Sequence, residues 1–358
     1  MSTDIFESFQ LGDISLSNRM VMAPMTRNRA SEDGLVSSMM VSHYQQRATA
    51  GLVITESAPV SRQGVGYPNT PGLYNETQAH SWKPLVSAVH TEGGHIFAQL
   101  QHCGRISHSS FQEDGALPVA PSAIKPSGQA ITYGGMMNFE QPRALETQEI
   151  RFIVEQFHSA AKRAKDAGFD GIEVHGANGY IIDQFLRDGS NLRSDIYGGN
   201  MENRMRLLNE ILDTVCTVWP TNRVGVRLTP ENSFNDMSDS DPQTHFEYYA
   251  SQLSSRNLAY LHVLEGDMLS DTSRVDYSAI RAKYLGTYIA NNGYDFLKMQ
   301  TKIESDDSCL VAFGIPFLAN PDLVYRFKEN LPLNEADPTT FYGGSEVGYT
   351  DYPFYDSN

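Results

Sequence analysis

His175, Asn178 and Tyr180 fall within one hexapeptide, His175-Gly-Ala-Asn178-Gly-Tyr180, and bring three chemical abilities to one place. Imidazole and carboxamide N–H groups can together grip one oxyanion, and a phenol can hand over a proton. That combination asks for an enzyme. The hexapeptide follows Gly168-Phe-Asp-Gly-Ile-Glu-Val174, an apolar run that breaks abruptly into polar residues and glycines. It reads as a buried strand reaching its carboxyl end and facing a cavity. Other strand ends carry compatible groups: Thr26 after Ala23-Pro24-Met25, Gln99 in Gln99-Leu-Gln101-His102, and Arg227 in Arg227-Leu-Thr-Pro230. A hydroxyl, a carboxamide and a fixed cation on one face suit a flat heterocycle edged with donors and acceptors, such as an isoalloxazine. Gln99 can both give and accept, and Arg227 can neutralise charge on the ring.

The elements that must position these groups are legible as an alternation. Short apolar β-rich runs occur at 19–25, 51–60, 95–101, 169–175, 224–229, 260–264, 286–290 and 310–313. Helix-compatible stretches lie at 36–50, 77–91, 147–167, 201–218, 242–256, 275–284, 294–303 and 321–328. Eight strands alternating with eight helices predict an α/β fold, a closed (β/α)₈ TIM barrel formed as one domain over residues 1–358. The surplus length sits between the third strand and third helix. Residues 103–146, rich in Pro, Gly and Ser, are expected to form a lid over the carboxyl ends of the strands. Residues 341–358 are dense in Tyr and Gly, too aromatic for a disordered tail, and are expected to fold back on the barrel.

Composition excludes several classes. The net charge of −16, from 27 basic and 43 acidic residues, argues against a nucleic-acid or anionic-membrane surface, which wants a clustered basic face. Cys103, Cys216 and Cys309 form no Cys-x-x-Cys pair, so neither a disulfide framework nor a zinc knuckle is expected, and no metal. The acidic amino terminus has no apolar leader core, and no apolar run approaches the roughly 20 residues of a membrane span. A cytoplasmic, small-molecule enzyme is the expectation. Monomer and homodimer both remain open.

The motifs, taken in order, resemble those of the Old Yellow Enzyme family of flavin-dependent ene-reductases, nearest in pattern to the N-ethylmaleimide and pentaerythritol tetranitrate reductase group. Ala23-Pro-Met-Thr-Arg27 opens the likeness and His175 to Tyr180 is its centre. Arg193-Ser-Asp-Ile-Tyr-Gly-Gly-Asn-Met-Glu-Asn-Arg204 follows, and Ala319-Asn-Pro-Asp-Leu323 and Phe341-Tyr342-Gly-Gly344 close it. The resemblance implies FMN at the top of the barrel and NAD(P)H as reductant. It implies that Thr26 meets a flavin carbonyl, that Gln99 meets the pyrimidine edge, that Arg227 lies near N1, and that Pro24, Met25 and Ala58 lie along the ring. It further implies that His175 and Asn178 hold the acceptor's carbonyl or nitro oxygen, that Tyr180 protonates the α-carbon, and that Tyr67 and Tyr342 flank the acceptor. The acceptors so implied are activated alkenes such as enones and maleimides, quinones and nitro compounds. The Arg193 to Arg204 stretch reads as a bracing network of ion pairs.

Two departures stand out. Relatives follow the eighth strand with Phe-Gly-Arg, whose Arg grips the FMN phosphate, whereas this chain reads Phe313-Gly314-Ile315. The backbone at Gly314 and Ile315, with Asn291-Asn292-Gly293 after the seventh strand, is then expected to hold the phosphate through amides. The second departure is Gln101, where close relatives carry a Trp that walls the acceptor pocket; a wider, more polar pocket is expected. Two other classes stay in view: a flavin-poor barrel serving as a binding or regulatory module, motivated by Ile315, and a cofactor-free phosphate-binding lyase or isomerase. The last would normally want a Lys or paired carboxylates at strand ends.

Overall fold

The computed structural model describes residues 4–270 and 273–355. Eight parallel strands close on themselves: β1 (Met20–Met22), β2 (Leu52–Ile54), β3 (Ile96–Gln101), β4 (Gly171–His175), β5 (Val224–Leu228), β6 (Tyr260–Leu264), β7 (Tyr288–Asn291) and β8 (Cys309–Phe313). Each pairs with the next, and β8 pairs with β1. This is the expected TIM barrel.

Alternation along the strands sorts their side chains. Val53, Ala98, Leu100, Ile172, Val174 and Leu261 point outward and join one large apolar cluster with the surrounding helices. Val21, Leu52, Ile54, Phe97, Tyr260, Ile289 and Leu310 point inward and form a second cluster at the amino-terminal half of the barrel. A hairpin of Phe9–Leu11 and Ile14–Leu16 supplies Leu11, Ile14 and Leu16 to that inner cluster and plugs the barrel from below. Phe97 and Tyr260 stack there with centroids 5.9 Å apart. They fit because Gly171 and Gly225 stand beside them, where any Cβ would collide with those rings. Large and small inward residues thus interdigitate, as barrel interiors require.

The expected elements are present with shifted bounds. The second predicted strand, 51–60, divides into Leu52–Ile54 and Ala58–Pro59, both paired to β3. The break has a physical reason: the Glu56 N–H donates to the Tyr44 hydroxyl (2.8 Å) and Thr55 Oγ1 accepts from the Gln99 N–H, so side chains take over from the ladder. β1 is shorter than predicted, ending before Pro24, which has no N–H to give. Two short helices, Ile181–Leu186 and Ile315–Ala319, and the plugging hairpin were not predicted.

The excursion at 103–146 is ordered. Val119–Ala120 pairs with Arg143–Ala144, and Gln129–Thr132 pairs antiparallel with Gly135–Asn138. Ala130 and Phe139 of the excursion join Cys103, Ile106, Tyr67 and Tyr180 in a small cluster above the barrel. Arg193 braces the excursion through the carbonyls of Pro121 and Leu145 and pairs with Asp195. The carboxyl-terminal segment does fold back. Arg27 donates to the carbonyls of Phe341 (2.8 Å) and Gly348 (2.8 Å), Arg29 to that of Ser345 (3.0 Å), and Tyr349 is fully buried.

Candidate active site

The inward face that is apolar at the bottom becomes polar toward the carboxyl ends. Register sets Gln99 beside Glu173, His175 beside Arg227, and Arg227 beside His262. These groups are tied together. Gln99 accepts from the Ser57 hydroxyl and donates to Glu173 (2.6 Å), which also accepts from His262 Nδ1 (2.8 Å). Burial opposes ionisation of Glu173, but His262, Arg227 and Gln99 outweigh it and hold the carboxyl below its ordinary range. Burial also keeps His262 neutral, consistent with an imidazole N–H donating to a carboxylate. Arg227 donates to Asn291 Oδ1 (2.8 Å), and Asn291 Nδ2 donates to the Ala312 carbonyl (2.9 Å). Arg227 Nε and His175 Nδ1 are buried and find no protein partner among the described residues.

Beyond β4 the hexapeptide turns sharply. Asn178 takes a left-handed conformation, φ 56°, and its N–H donates to Thr229 Oγ1 (2.8 Å). The turn brings the Tyr180 ring against His175, centroids 5.1 Å apart, and its hydroxyl 3.1 Å from that of Tyr67. Burial, with the Arg227 charge next, depresses His175 well below its usual range, so the imidazole is neutral. Burial, with Tyr67 and Cys103 next, raises the Tyr180 phenol well above its own, so it keeps a proton to give. A cleft of ≈480 Å³ opens beside Tyr67, with Ile131, Met136 and Phe139 of the excursion on one wall and Phe234, Asn235 and Leu269 on the other.

The remaining predicted residues are placed as follows. Pro24 and Ala58 are buried at the top of the barrel, with Met25 and Thr26 partly exposed beside them. Asn292 (φ 86°) and Gly293 (φ 71°) form an exposed turn after β7. Asn292 spends its side chain on the Glu265 carbonyl (2.8 Å). Gly314 and Gly293 have nothing within 4 Å of where a Cβ would stand, and the Ile315 side chain is half exposed. Gln101 is 3 % exposed, turns its Nε2 to Cys103 Sγ (2.8 Å), and leaves Oε1 without a partner among the described residues. Tyr342 is 62 % exposed on the carboxyl-terminal segment.

The model of the NADH:flavin oxidoreductase / NADH oxidase family matches residues 4–334. The chain belongs to that family. Among relatives of this flavin oxidoreductase, a probable flavin mononucleotide-dependent alkene reductase of Leishmania infantum is 42% identical over 349 residues, covering 96% of this chain and 95% of the relative. A putative 12-oxophytodienoate reductase 4 of Oryza sativa subsp. japonica is 41% identical over 357 residues, covering 97% and 92%. Among solved structures, morphinone reductase superposes with a TM-score of 0.95 at 44% identity, covering 100% of this chain and 98% of that one. The old yellow enzyme homologue from Zymomonas mobilis gives 0.94 at 38% identity, covering 98% and 99%. The (β/α)₈ expectation and the Old Yellow Enzyme resemblance are thereby borne out.

The family's cofactor is FMN and its reductant a nicotinamide nucleotide. The residues present fit FMN. Arg227 Nε and His175 Nδ1 are buried polar atoms that the protein itself leaves unmatched, and such atoms are rare unless a ligand or water completes them. The bare backbone at Gly293 and Gly314 leaves room for an anion to approach amides closely. Sequence reasoning missed Glu173 and His262, although alternation from His175 and Arg227 put them on the same inward face. It also missed Asn232 and Asn235, which lie in an irregular loop without a period to betray them.

Proposed function

We propose that this flavin oxidoreductase reduces activated alkenes, α,β-unsaturated carbonyls and maleimides first, and quinones or nitro compounds as well, at the expense of NAD(P)H. The observation that carries this reading is the convergence of His175, whose Nδ1 is buried and unmatched, Asn178, whose Oδ1 is taken by Asn232, and Tyr180, which shares a hydrogen bond with the Tyr67 hydroxyl, beside Arg227, whose Nε is unmatched. The relatives named as an alkene reductase and 12-oxophytodienoate reductases support it.

FMN, when bound, supplies reversible two-electron hydride chemistry. Pro24, Met25, Thr26, Ala58, Gln99 and Arg227 would hold its ring, and the backbone of 291–293 and 314–315 its phosphate. His175 and Asn178 donate hydrogen bonds to the acceptor's oxygen and stabilise the negative charge that builds there as the β-carbon is reduced. Neutral His175 can act as a donor without offering a competing cation. Tyr180 then delivers its proton to the α-carbon. Tyr67 and Tyr342 flank the acceptor, and Gln101 in place of an aromatic wall leaves that side wider and more polar. Residues 103–146 serve as the lid, and the chain works as one domain.

The test is spectroscopic. Purified protein loaded with FMN should lose its visible flavin absorption on anaerobic addition of NADPH and regain it when N-ethylmaleimide or 2-cyclohexenone follows. Bleaching without recovery by either acceptor would refute the alkene assignment. A second reading, a flavin-poor barrel serving as a binding module, rests on Ile315 replacing a phosphate-gripping cation. Colourless protein that gains no reductase activity with added FMN would favour it.

A further inference from the structure

Asn178 makes four polar groups available, and one loop consumes three of them. Its N–H donates to Thr229 Oγ1 (2.8 Å), its carbonyl accepts from Asn235 Nδ2 (2.8 Å), and its side-chain Oδ1 accepts from Asn232 Nδ2 (3.2 Å). Only Nδ2 is left. Which end of a carboxamide carries the nitrogen must come from its partners, and here the partners decide. Asn232 Oδ1 accepts from the backbone N–H groups of Phe234 (3.3 Å) and Met268 (3.4 Å). Backbone N–H groups cannot accept, so the Asn232 oxygen must face them and its nitrogen must face Asn178. Asn178 must then answer with its oxygen, and its own nitrogen is turned away from the loop as a donor. Asn232 is 1 % exposed and has no room to reverse the arrangement through water. Its main chain is fixed as well: the carbonyl accepts from Arg187 (3.0 Å), whose buried guanidinium pairs with Asp183 (2.9 Å).

We propose that Asn232 is a positioning residue for acceptor reduction: through its hydrogen bond to Asn178 Oδ1 it holds the Asn178 amide with its N–H₂ toward the acceptor's oxygen. This rests on the reading of Asn178 as an acceptor ligand. An amide free to rotate presents oxygen to the acceptor part of the time, and oxygen against developing oxyanion is repulsive. The hydrogen-bonded relay runs from two backbone amides, through two side-chain amides, to the substrate. The relay from Asn232 to Asn178 runs between neutral amides, and charge enters only at the acceptor's oxygen.

The experiment uses FMN-loaded protein and titrates the flavin spectrum with 4-hydroxybenzaldehyde, whose phenolate mimics the oxyanion. Asn232→Asp is isosteric and still accepts both backbone N–H bonds, so a role in loop packing alone would be spared by Asp and harmed by Ala. The proposal expects the reverse order. Asp cannot donate to Asn178 Oδ1 and attracts Asn178 Nδ2 instead, reversing the amide. Binding should weaken about tenfold or more in Asn232→Asp and only a few-fold in Asn232→Ala, the scale of one hydrogen bond to a charged group. KM for 2-cyclohexenone should rise in the same order. In an Asn178→Ala background, Asn232→Asp should cost clearly less, because the amide reversal travels through Asn178 and only repulsion between the new carboxylate and the phenolate remains. Asn232→Asp binding like wild type, or an undiminished loss in the Asn178→Ala background, overturns the proposal. Wild-type binding by Asn178→Ala alone overturns the acceptor-ligand reading, and the role of Asn232 with it.

Discussion

The Tyr180 hydroxyl lies 3.1 Å from the Tyr67 hydroxyl, and the two rings meet edge to face at 87°. Tyr180 is buried and Tyr67 partly so, and two phenols that share a hydrogen bond can exchange a proton between them. Tyr67 also lines the cleft beneath the excursion, so the pair links the candidate proton donor to that cleft.

Tyr180→Phe should slow reduction of 2-cyclohexenone by roughly 10²–10⁴-fold, the usual contribution of a positioned general acid. Reduction of a benzoquinone, whose product oxygens can take protons from water, should change far less. Stopped-flow reoxidation of reduced enzyme with each acceptor separates the two. Equal losses for both would remove Tyr180 from the proton-donor role.

Ile315→Arg should tighten FMN binding. A charge-assisted contact to phosphate contributes roughly 1.5–3 kcal/mol, or about tenfold to more than a hundredfold in affinity. Quenching of FMN fluorescence gives the Kd, and its dependence on salt should steepen in the variant. An unchanged Kd with an unchanged salt slope would mean that Ile315 does not face the phosphate.

Glu173→Gln should destabilise the fold by about 3–5 kcal/mol, because the buried Arg227 loses its counter-charge. Its pH signature follows from direction. The Glu173 carboxyl is held below its ordinary 4.5 by His262, Arg227 and Gln99 against the opposing effect of burial, so its stabilisation is full above 4.5 and fades as pH falls through the lowered folded value. Urea midpoints of wild type and variant should therefore converge in acid. Parallel curves down to the lowest measurable pH would contradict this.

Glu56 should behave with the opposite sign. Burial, opposed by Arg27, raises this carboxyl from 4.5 to about 7. The folded state therefore favours the protonated form, and the contribution is full below 4.5 and lost as pH rises through about 7. The full difference is worth on the order of 3 kcal/mol. Thermal unfolding of Glu56→Gln should lack the decline that wild type shows between those two pH values. A decline of equal size in the variant would assign it to another group.

How much of this could be read in advance depended on periodicity. Ile172 and Val174 announced β4, and the break into His175 announced its end. Gln99 and Arg227 were found in the same way, because strand ends in parallel barrels expose what lies on the inward face. Glu173 and His262 obey the same alternation and stand beside Gln99 and Arg227 in the register, but each is a single polar residue inside an otherwise apolar run, which attention to strand ends passes over. Asn232 and Asn235 had no such signal. Their importance arises only because Asn178 adopts φ 56° and offers its backbone to the neighbouring loop, a conformation that asparagine tolerates without the sequence around it declaring it. The hairpin at 9–16 was too short for its alternation to stand out.

The contact between Arg27 and the carbonyl of Phe341 spans 314 positions of the chain, and that with Gly348 spans 321. Arg27 is therefore synthesised well before the segment that clamps it. At translation rates of about 5–20 residues per second, that interval is roughly a quarter of a minute to a minute. For that time the Arg27 guanidinium lacks the carbonyls that receive it, and β1 waits as well for β8, the strand that closes the barrel against it.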